Sequence, residues 1–169
     1  MRAVFGLAQQ RLLLEARGDA VALSLTLPAQ PGEAPVRPLA ELPQEAVAGA
    51  PVDPLARMLS PRIAGLPRWL VLPAAAGLRR RLTLPAAAAD RLHDVLGFEI
   101  DRQTPFSAED VHHDARLLGR RGDGQVDAEL VVVPRAALEA ALAALGEPLA
   151  ATLAGVDIAG ADGLPLGVN

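Results

Sequence analysis

The residues best suited to metal binding in this sequence are its three histidines and an aspartate beside two of them. His112, His113 and Asp114 follow one another in a segment typical of a β-strand, and His93 precedes them. Adjacent strand residues point to opposite faces, so His112 and His113 could not readily share an ion, whereas His112 and Asp114 could. Partly exposed strand residues explain the same pattern, and we predict no metal site.

Two pairs of carboxylates are the candidates for acid–base catalysis. Glu99 stands two residues before Asp101, and Glu109 is followed directly by Asp110. Residues two apart on a helix diverge, and the second pair fits the charged start of a helix or a loop. The chain has no cysteine, and its serines lack the glycine pattern of a nucleophile elbow. We therefore predict that the protein is not an enzyme.

The composition of the chain argues against several classes of function. A formal net charge of −4 disfavours general nucleic-acid binding, and three phenylalanines with one tryptophan leave few side chains for stacking on bases. The longest run without a charged residue, Ala20 to Gly32, contains two prolines and is shorter than the roughly 20 apolar residues of a membrane-spanning helix. The absence of cysteine excludes disulfide bonds.

The clearest predicted element is an amphipathic helix within Leu84 to Phe106. Pro85 suits its first turn, where no N–H partner is needed, and Pro105 ends it, because the residue before a proline leaves the helical region. Four apolar residues recur on one face of this helix, namely Leu92, Val95, Leu96 and Ile100.

Predicted strands surround this helix, and a second helix follows them. The strands are Arg68 to Pro73, Leu78 to Leu84, Asp110 to Leu118, Val126 to Val133 and Gly155 to Ile158. The second helix begins after Pro134, and Gly146 provides its C-terminal stop.

The N-terminal third predicts a β-hairpin followed by an irregular stretch. Val4 to Leu27 forms the hairpin, with turn chemistry at Arg17-Gly18-Asp19. Residues 28–54 hold seven prolines and predict a surface excursion with one helical turn near Leu39 to Val47.

These elements predict an α/β fold with a mixed β-sheet, in a single domain over residues 1–169. The hairpin, the strand Arg68 to Pro73 and the unit Val126 to Ile158 would form one mixed β-sheet. Residues 78–118 would form a small inserted β-α-β lobe.

The motifs at the joints of these elements match a known family in order and spacing. They are Leu72-Pro73, Leu84-Pro85, Phe98-Glu99, Gln103-Thr104-Pro105-Phe106, Asp110 to Asp114, Glu129 to Pro134 and Gly155 to Ile158. In these motifs the chain resembles the cytoplasmic actin-like domain of the type II secretion system protein L (GspL) family and its type IV pilus counterpart, PilM. The resemblance covers roughly the last hundred residues and implies an α/β fold of the ribonuclease-H or actin-like half-domain type.

The resemblance implies a non-catalytic cytoplasmic scaffold of the type II secretion inner-membrane platform. Such a scaffold recruits the secretion ATPase through that enzyme's N-terminal domain, and its membrane-anchored remainder pairs with platform protein M. The resemblance also allows a homodimer and implies the cytoplasmic domain of a bacterial inner-membrane protein. For the contact with the ATPase we expect five residues on or near the inserted lobe: Arg79, Arg81, Glu99, Gln103 and Phe106.

A nucleotide-binding actin-like ATPase of type IV pilus assembly is the alternative. Phosphate binding in such a fold needs a glycine-rich hairpin turn with an acidic residue before it. The first strand, Val4 to Gln10, has no aspartate before its glycine, and the turn at Gly18 holds a single glycine. No Walker or Rossmann motif occurs, so we predict no bound cofactor.

Overall fold

A computed structural model describes residues 10–27 and 36–160, which fall into two compact units. Within these ranges, unit 1 comprises the residues up to Val71 together with Ala141–Val156, and unit 2 comprises Leu72–Ala140 together with the residues from Asp157 onward. The predicted strand over Val4 to Gln10, except for its last residue, lies outside the described residues. The predicted insertion of a lobe over residues 78–118 stays a prediction.

Eight strands and seven α-helices make up the described chain. The strands are β1 Leu12–Arg17, β2 Ala20–Thr26, β3 Val36–Pro43, β4 Arg68–Leu72, β5 Leu78–Pro85, β6 Val111–Arg120, β7 Gln125–Pro134 and β8 Leu153–Ile158. The helices are α1 Gln44–Ala48, α2 Leu55–Met58, α3 Pro61–Ala64, α4 Leu92–Gly97, α5 Ile100–Gln103, α6 Arg135–Leu145 and α7 Glu147–Ala150. Short 3-10 helices cover Ala74–Ala76, Ala86–Arg91 and Ala108–Asp110.

Unit 1 is built on a mixed sheet of five strands in the order β3-β2-β1-β4-β8. β1 pairs antiparallel with β2 and parallel with β4. Leucines that alternate along the strands, such as Leu12, Leu14 and Leu23, are almost completely buried, because one face of each strand packs into the core. The predicted hairpin turn is confirmed at Gly18, whose φ of 61° suits glycine.

The proline-rich stretch contains a strand, Val36–Pro43, where a surface excursion without a strand was predicted. β3 pairs antiparallel with β2, and a register shift opposite Leu23 and Ser24 accommodates the segment that holds Pro38. β3 is an edge strand, where a residue without an N–H donor is tolerated. A helix does follow, but it lies at Gln44–Ala48 rather than from Leu39. The part over residues 28–35 lies outside the described chain.

Arg68, a buried arginine of β4, is hydrogen-bonded to the segment that leads into α2 of unit 1. Arg68 is 5% exposed, and its Nη1 donates hydrogen bonds to Asp53 Oδ1 at 2.8 Å and to Thr152 Oγ1 at 3.0 Å. Asp53 Oδ1 also accepts the N–H of Leu55 at 3.1 Å, at the start of α2. Burial alone raises the pKa of Asp53, but these hydrogen bonds and the charge of Arg68 outweigh it and leave the pKa below its usual value.

Unit 2 is built on an antiparallel sheet of three strands in the order β5-β7-β6. Leu96 of α4 and Ile100 of α5 pack against one face of this sheet, which we call the core face. The sheet contributes four buried residues to the same cluster: Val111, Ala128, Leu130 and Val132. The prediction that Val126 to Val133 belongs to the main sheet is therefore wrong. β7 is buried between two strands that supply arginine partners for its acidic residues.

The predicted helix within Leu84 to Phe106 is also wrong as a single element. It is divided into the 3-10 helix Ala86–Arg91 and the short helices α4 and α5. A Cβ on Gly97 would lie 3.0 Å from Nε2 of His113, so the close approach of α4 to β6 favours a glycine at this position, which is the last residue of α4. The bounding role of Pro105 is confirmed, because α5 ends at Gln103 and Thr104 is extended.

Candidate protein-interaction site

The face of the unit 2 sheet opposite the core face carries several charged side chains. We call it the charged face. It is formed by Arg79, Arg81 and Thr83 of β5, Asp127 and Glu129 of β7, Asp114 and Arg116 of β6 and Arg121 of the following turn. Strand alternation produces it, since Leu78, Leu82 and Leu84 of β5 pack into the hydrophobic cluster on the other side.

Glu129 lies at the centre of the charged face and is 3% exposed. Arg79 Nη2 donates to Glu129 Oε2 at 3.1 Å, and Arg116 Nε donates to Oε1 at 2.9 Å. Burial alone raises the pKa of Glu129, but the two charge-assisted hydrogen bonds and the nearby guanidinium charges outweigh it and keep the pKa below its usual value. The carboxylate is therefore ionised at neutral pH and fixes both arginines.

Asp127 forms a second, more exposed group on the same face. Arg121 Nε donates to its two carboxylate oxygens at 3.1 and 3.2 Å, and Thr83 Oγ1 lies 3.1 Å from Oδ1. The hydrogen bond from Arg121 is the largest cause of the lowered pKa of Asp127, and the charge of Arg81 adds to it. Among the described residues, Arg81 forms no hydrogen bond or ion pair of its own, so this exposed guanidinium is open to a partner.

Arg79 has one donor that the charged face does not satisfy. Its Nε is buried and finds no hydrogen-bond acceptor within the described chain, although its Nη2 pairs with Glu129. A buried donor without an acceptor is unfavourable. An acceptor supplied from outside the described residues would relieve that cost.

An open groove of about 320 Å³ lies beside β5 in unit 2. Its lining residues are Ala75, Ala76, Gly77, Leu78, Arg80, Pro105, Phe106 and Pro134. Arg80 Nε donates to the backbone oxygen of Gln103 at 3.2 Å, and Arg80 Nη1 donates to the backbone oxygen of Arg79 at 3.0 Å. These bonds hold the cationic side chain of Arg80 at the wall of the groove, and the other residues that line the groove are uncharged.

The five predicted contact residues do not lie on one surface. Arg79 and Arg81 are on the charged face, whereas Phe106 lines the groove and Gln103 binds Arg80 there through its backbone oxygen. Glu99 lies in the turn between α4 and α5, where its carboxylate is 3.6 Å from Arg102. The role of these residues in binding a partner stays a prediction.

Sequence reasoning missed two residues that organise these surfaces. Glu129 interrupts a strongly apolar strand, and a charge in such a position signals a paired, buried group. Arg80 lies between Leu78 and Leu82 on the apolar side of β5. Its side chain must therefore extend to the edge of the hydrophobic cluster to keep the guanidinium in solvent. Strand alternation could have identified both residues.

The histidines lie in positions that match the expected strand geometry. His113 stacks on His93 of α4 with ring centroids 4.2 Å apart, while His112 Nε2 lies 3.2 Å from Arg135 Nη1. The two adjacent histidines thus have different neighbours. Over residues 10–27 and 36–160, no three His, Cys, Asp or Glu side chains are placed to hold a metal ion together. In the same ranges, no helix is long and apolar enough to span a membrane.

The comparison with curated proteins gives a strong sequence match. The chain is 47% identical, over 164 residues, to type II secretion system protein L of Xanthomonas campestris pv. campestris. The predicted resemblance to type II secretion protein L is confirmed. The alignment covers 97% of this chain and 41% of that relative, so the chain spans less than half of protein L's length. No family model matches the chain.

One solved structure agrees with the predicted fold class. The fold is similar to that of the cytoplasmic domain of EpsL, an inner-membrane component of the type II secretion system of Vibrio cholerae. The TM-score is 0.50 at 15% identity, over 88% of this chain and 56% of that one. A Bacteroides thetaiotaomicron protein described as having an actin-like ATPase fold has a TM-score of 0.35 at 11% identity, over 82% and 50% of the two chains. The predicted α/β class with a mixed sheet is confirmed.

Proposed function

We propose that this chain is part of a non-catalytic scaffold in a type II secretion inner-membrane platform. In this role it is a cytoplasmic domain of an inner-membrane protein and recruits the secretion ATPase through that enzyme's N-terminal domain. The observation that carries the proposal is the 47% identity with type II secretion protein L over nearly the whole of this chain. Platform protein M would pair with the remainder of the longer protein.

The charged face supports a role in holding another protein. Glu129 orients two arginines from two different strands, and Arg81 presents an exposed cation without a partner of its own among the described residues. Positive groups held at fixed positions favour the docking of an acidic surface and reject a basic one. We therefore place the contact with the ATPase domain at Arg79 and Arg81.

Secretion in living bacteria tests this proposal in the full-length protein. In a strain whose protein L carries Arg81→Glu, we expect the amount of secreted enzyme to fall at least severalfold while protein L itself accumulates normally. Charge reversal at this exposed position replaces an attraction to the partner with a repulsion. It breaks no hydrogen bond or ion pair among the described residues, although it removes a positive charge near Asp127. Secreted enzyme activity and an immunoblot of protein L are the two measurements.

Arg37→Glu is the matched control, since Arg37 is an exposed arginine of β3 in unit 1. Secretion should be unchanged in that strain. Normal secretion with Arg81→Glu would show that the charged face is not the contact. Equal loss with both variants would show a general sensitivity to lost positive charge.

A further inference from the structure

We propose that the groove of unit 2 binds a short extended segment of a partner protein that carries an apolar side chain and a carboxylate two residues apart. Residues two apart in an extended chain point to the same side, so both groups would face the groove. This site is separate from the charged face, and the proposal does not depend on recruitment of the ATPase.

Most of the residues that line the groove have apolar side chains, and two of them are conformationally restricted prolines. Phe106, Leu78 and two alanines supply the apolar surface, and Pro105 and Pro134 are part of the lining. Proline fixes its own φ and has no N–H to solvate, so these walls need little ordering when an apolar side chain enters. A volume of about 320 Å³ is sufficient for a side chain and part of a peptide backbone.

Arg80 determines the charge of the preferred ligand. Both of its recorded acceptors are neutral backbone oxygens, those of Gln103 and Arg79. Among the described residues, no carboxylate lies within ion-pair distance of Arg80, and no acidic residue lines the groove. The guanidinium is thus oriented but not neutralised, and a carboxylate is the group that such a cation complements with paired hydrogen bonds.

The backbone beside the groove favours an extended ligand over a free anion. Leu78 and Arg80 belong to β5, which among the residues that the structure describes is an edge strand and pairs with β7 on one side only. The free edge of a strand can accept a peptide as an additional strand through main-chain hydrogen bonds. An apolar wall, a fixed cation and an open strand edge therefore lie together at one place.

A synthetic peptide provides the test. The probe is the acetylated hexapeptide Thr-Leu-Thr-Glu-Thr-Leu, titrated into the isotopically labelled chain and followed by amide chemical shifts. We expect saturable shifts at Ala75 to Arg80 and at Phe106. The peptide with glutamine in place of glutamate should bind about tenfold more weakly, since a charge-assisted bond is replaced by a neutral one.

Two neighbouring arginines give a matched pair of variants. Arg80→Gln should weaken peptide binding about tenfold, whereas Arg81→Gln, on the other face of the same strand, should leave it unchanged. The amide spectrum of each variant away from the groove reports that the fold is retained. Binding of the ATPase domain should be weakened by substitution of Arg81 and not by substitution of Arg80. Each proposal can therefore be contradicted without affecting the other.

Three results would overturn the proposal. The first is an absence of saturable shifts at the groove with the unsubstituted chain. The second is equal weakening by Arg80→Gln and Arg81→Gln. The third is an identical set of shifts produced by free acetate at a similar affinity, which would identify a small anion rather than a peptide as the ligand.

Discussion

At the scale of single residues, a carboxylate–arginine pair with at least one buried partner organises each unit. Asp53 is hydrogen-bonded to the almost completely buried Arg68 in unit 1, and Glu129 lies between Arg79 and Arg116 in unit 2. A buried ion pair need not add stability over an apolar replacement, but removing one partner leaves a charge without compensation. These groups therefore hold arginine side chains in fixed positions at the cost of sensitivity to pH.

The stability of the protein should decrease in acid because of these two carboxylates. Both have a folded-state pKa below the usual value. Their stabilisation is complete above the unfolded-state values of about 4 and is lost as the pH falls through the lower folded-state values. Thermal unfolding at several pH values between neutrality and pH 3 should show a falling Tm, most steeply below about pH 4.

Glu129→Gln isolates the contribution of the unit 2 carboxylate. At neutral pH we expect a loss of about 3 kcal/mol, the low end of the range for breaking a buried pair, because both arginines are partly exposed. In acid the free energies of unfolding of the variant and of the unsubstituted protein should become more similar. The unsubstituted protein loses the ionised Glu129 there, whereas the variant has no such group to lose. The exposed Glu139→Gln on α6 should change stability by less than about 0.5 kcal/mol. A difference that is constant with pH would contradict this account of Glu129.

At the scale of elements, the bounds set by proline and glycine were predictable, whereas the continuity of the predicted helix was not. Pro85 and Pro105 do bound a helical segment, and Gly146 does follow α6. Apolar periodicity suggested one helix between the prolines, but periodicity does not report how closely a neighbouring strand approaches. The close approach of His113 to Gly97, at the end of α4, is a tertiary constraint of this kind.

Gly146→Ala should destabilise unit 1 by about 2 to 3 kcal/mol. Gly146 has a φ of 78°, and a Cβ there would lie 2.7 Å from the backbone oxygen of Ala48. The strain of that φ for a residue with a side chain adds to a clash with backbone that cannot rotate away. Urea unfolding measures the change. Gly122→Ala is the control, because Gly122 has open space around its Cα and should change stability little. A loss below about 0.5 kcal/mol for Gly146→Ala would contradict the expected strain.

At the scale of the whole molecule, sequence predicted the class of fold more accurately than the assignment of strands to sheets. The strands Arg68 to Pro73 and Val126 to Val133 were recognised, but their sheets could not be, because pairing depends on partners far apart in sequence. β7 would look equally buried in either sheet. The acidic residues within it were the available signal, since Glu129 and Asp127 required arginines that β5, β6 and the turn before β7 provide.

The same limitation explains the mixed outcome for the interaction residues. All five residues were chosen together because they lie on or near the predicted inserted lobe. In unit 2 Glu99, Gln103 and Phe106 lie away from the charged face that carries Arg79 and Arg81. Which faces become surfaces for partners depends on packing that a single sequence does not specify.

Isothermal titration of this chain, first with the N-terminal domain of the secretion ATPase and then with Mg-ATP, tests the central claim most directly. A non-catalytic scaffold predicts saturable binding of the ATPase domain, weakened about tenfold by Arg81→Glu, and no heat from Mg-ATP. Micromolar binding of Mg-ATP without binding of the ATPase domain would contradict the claim and favour a nucleotide-dependent actin-like protein.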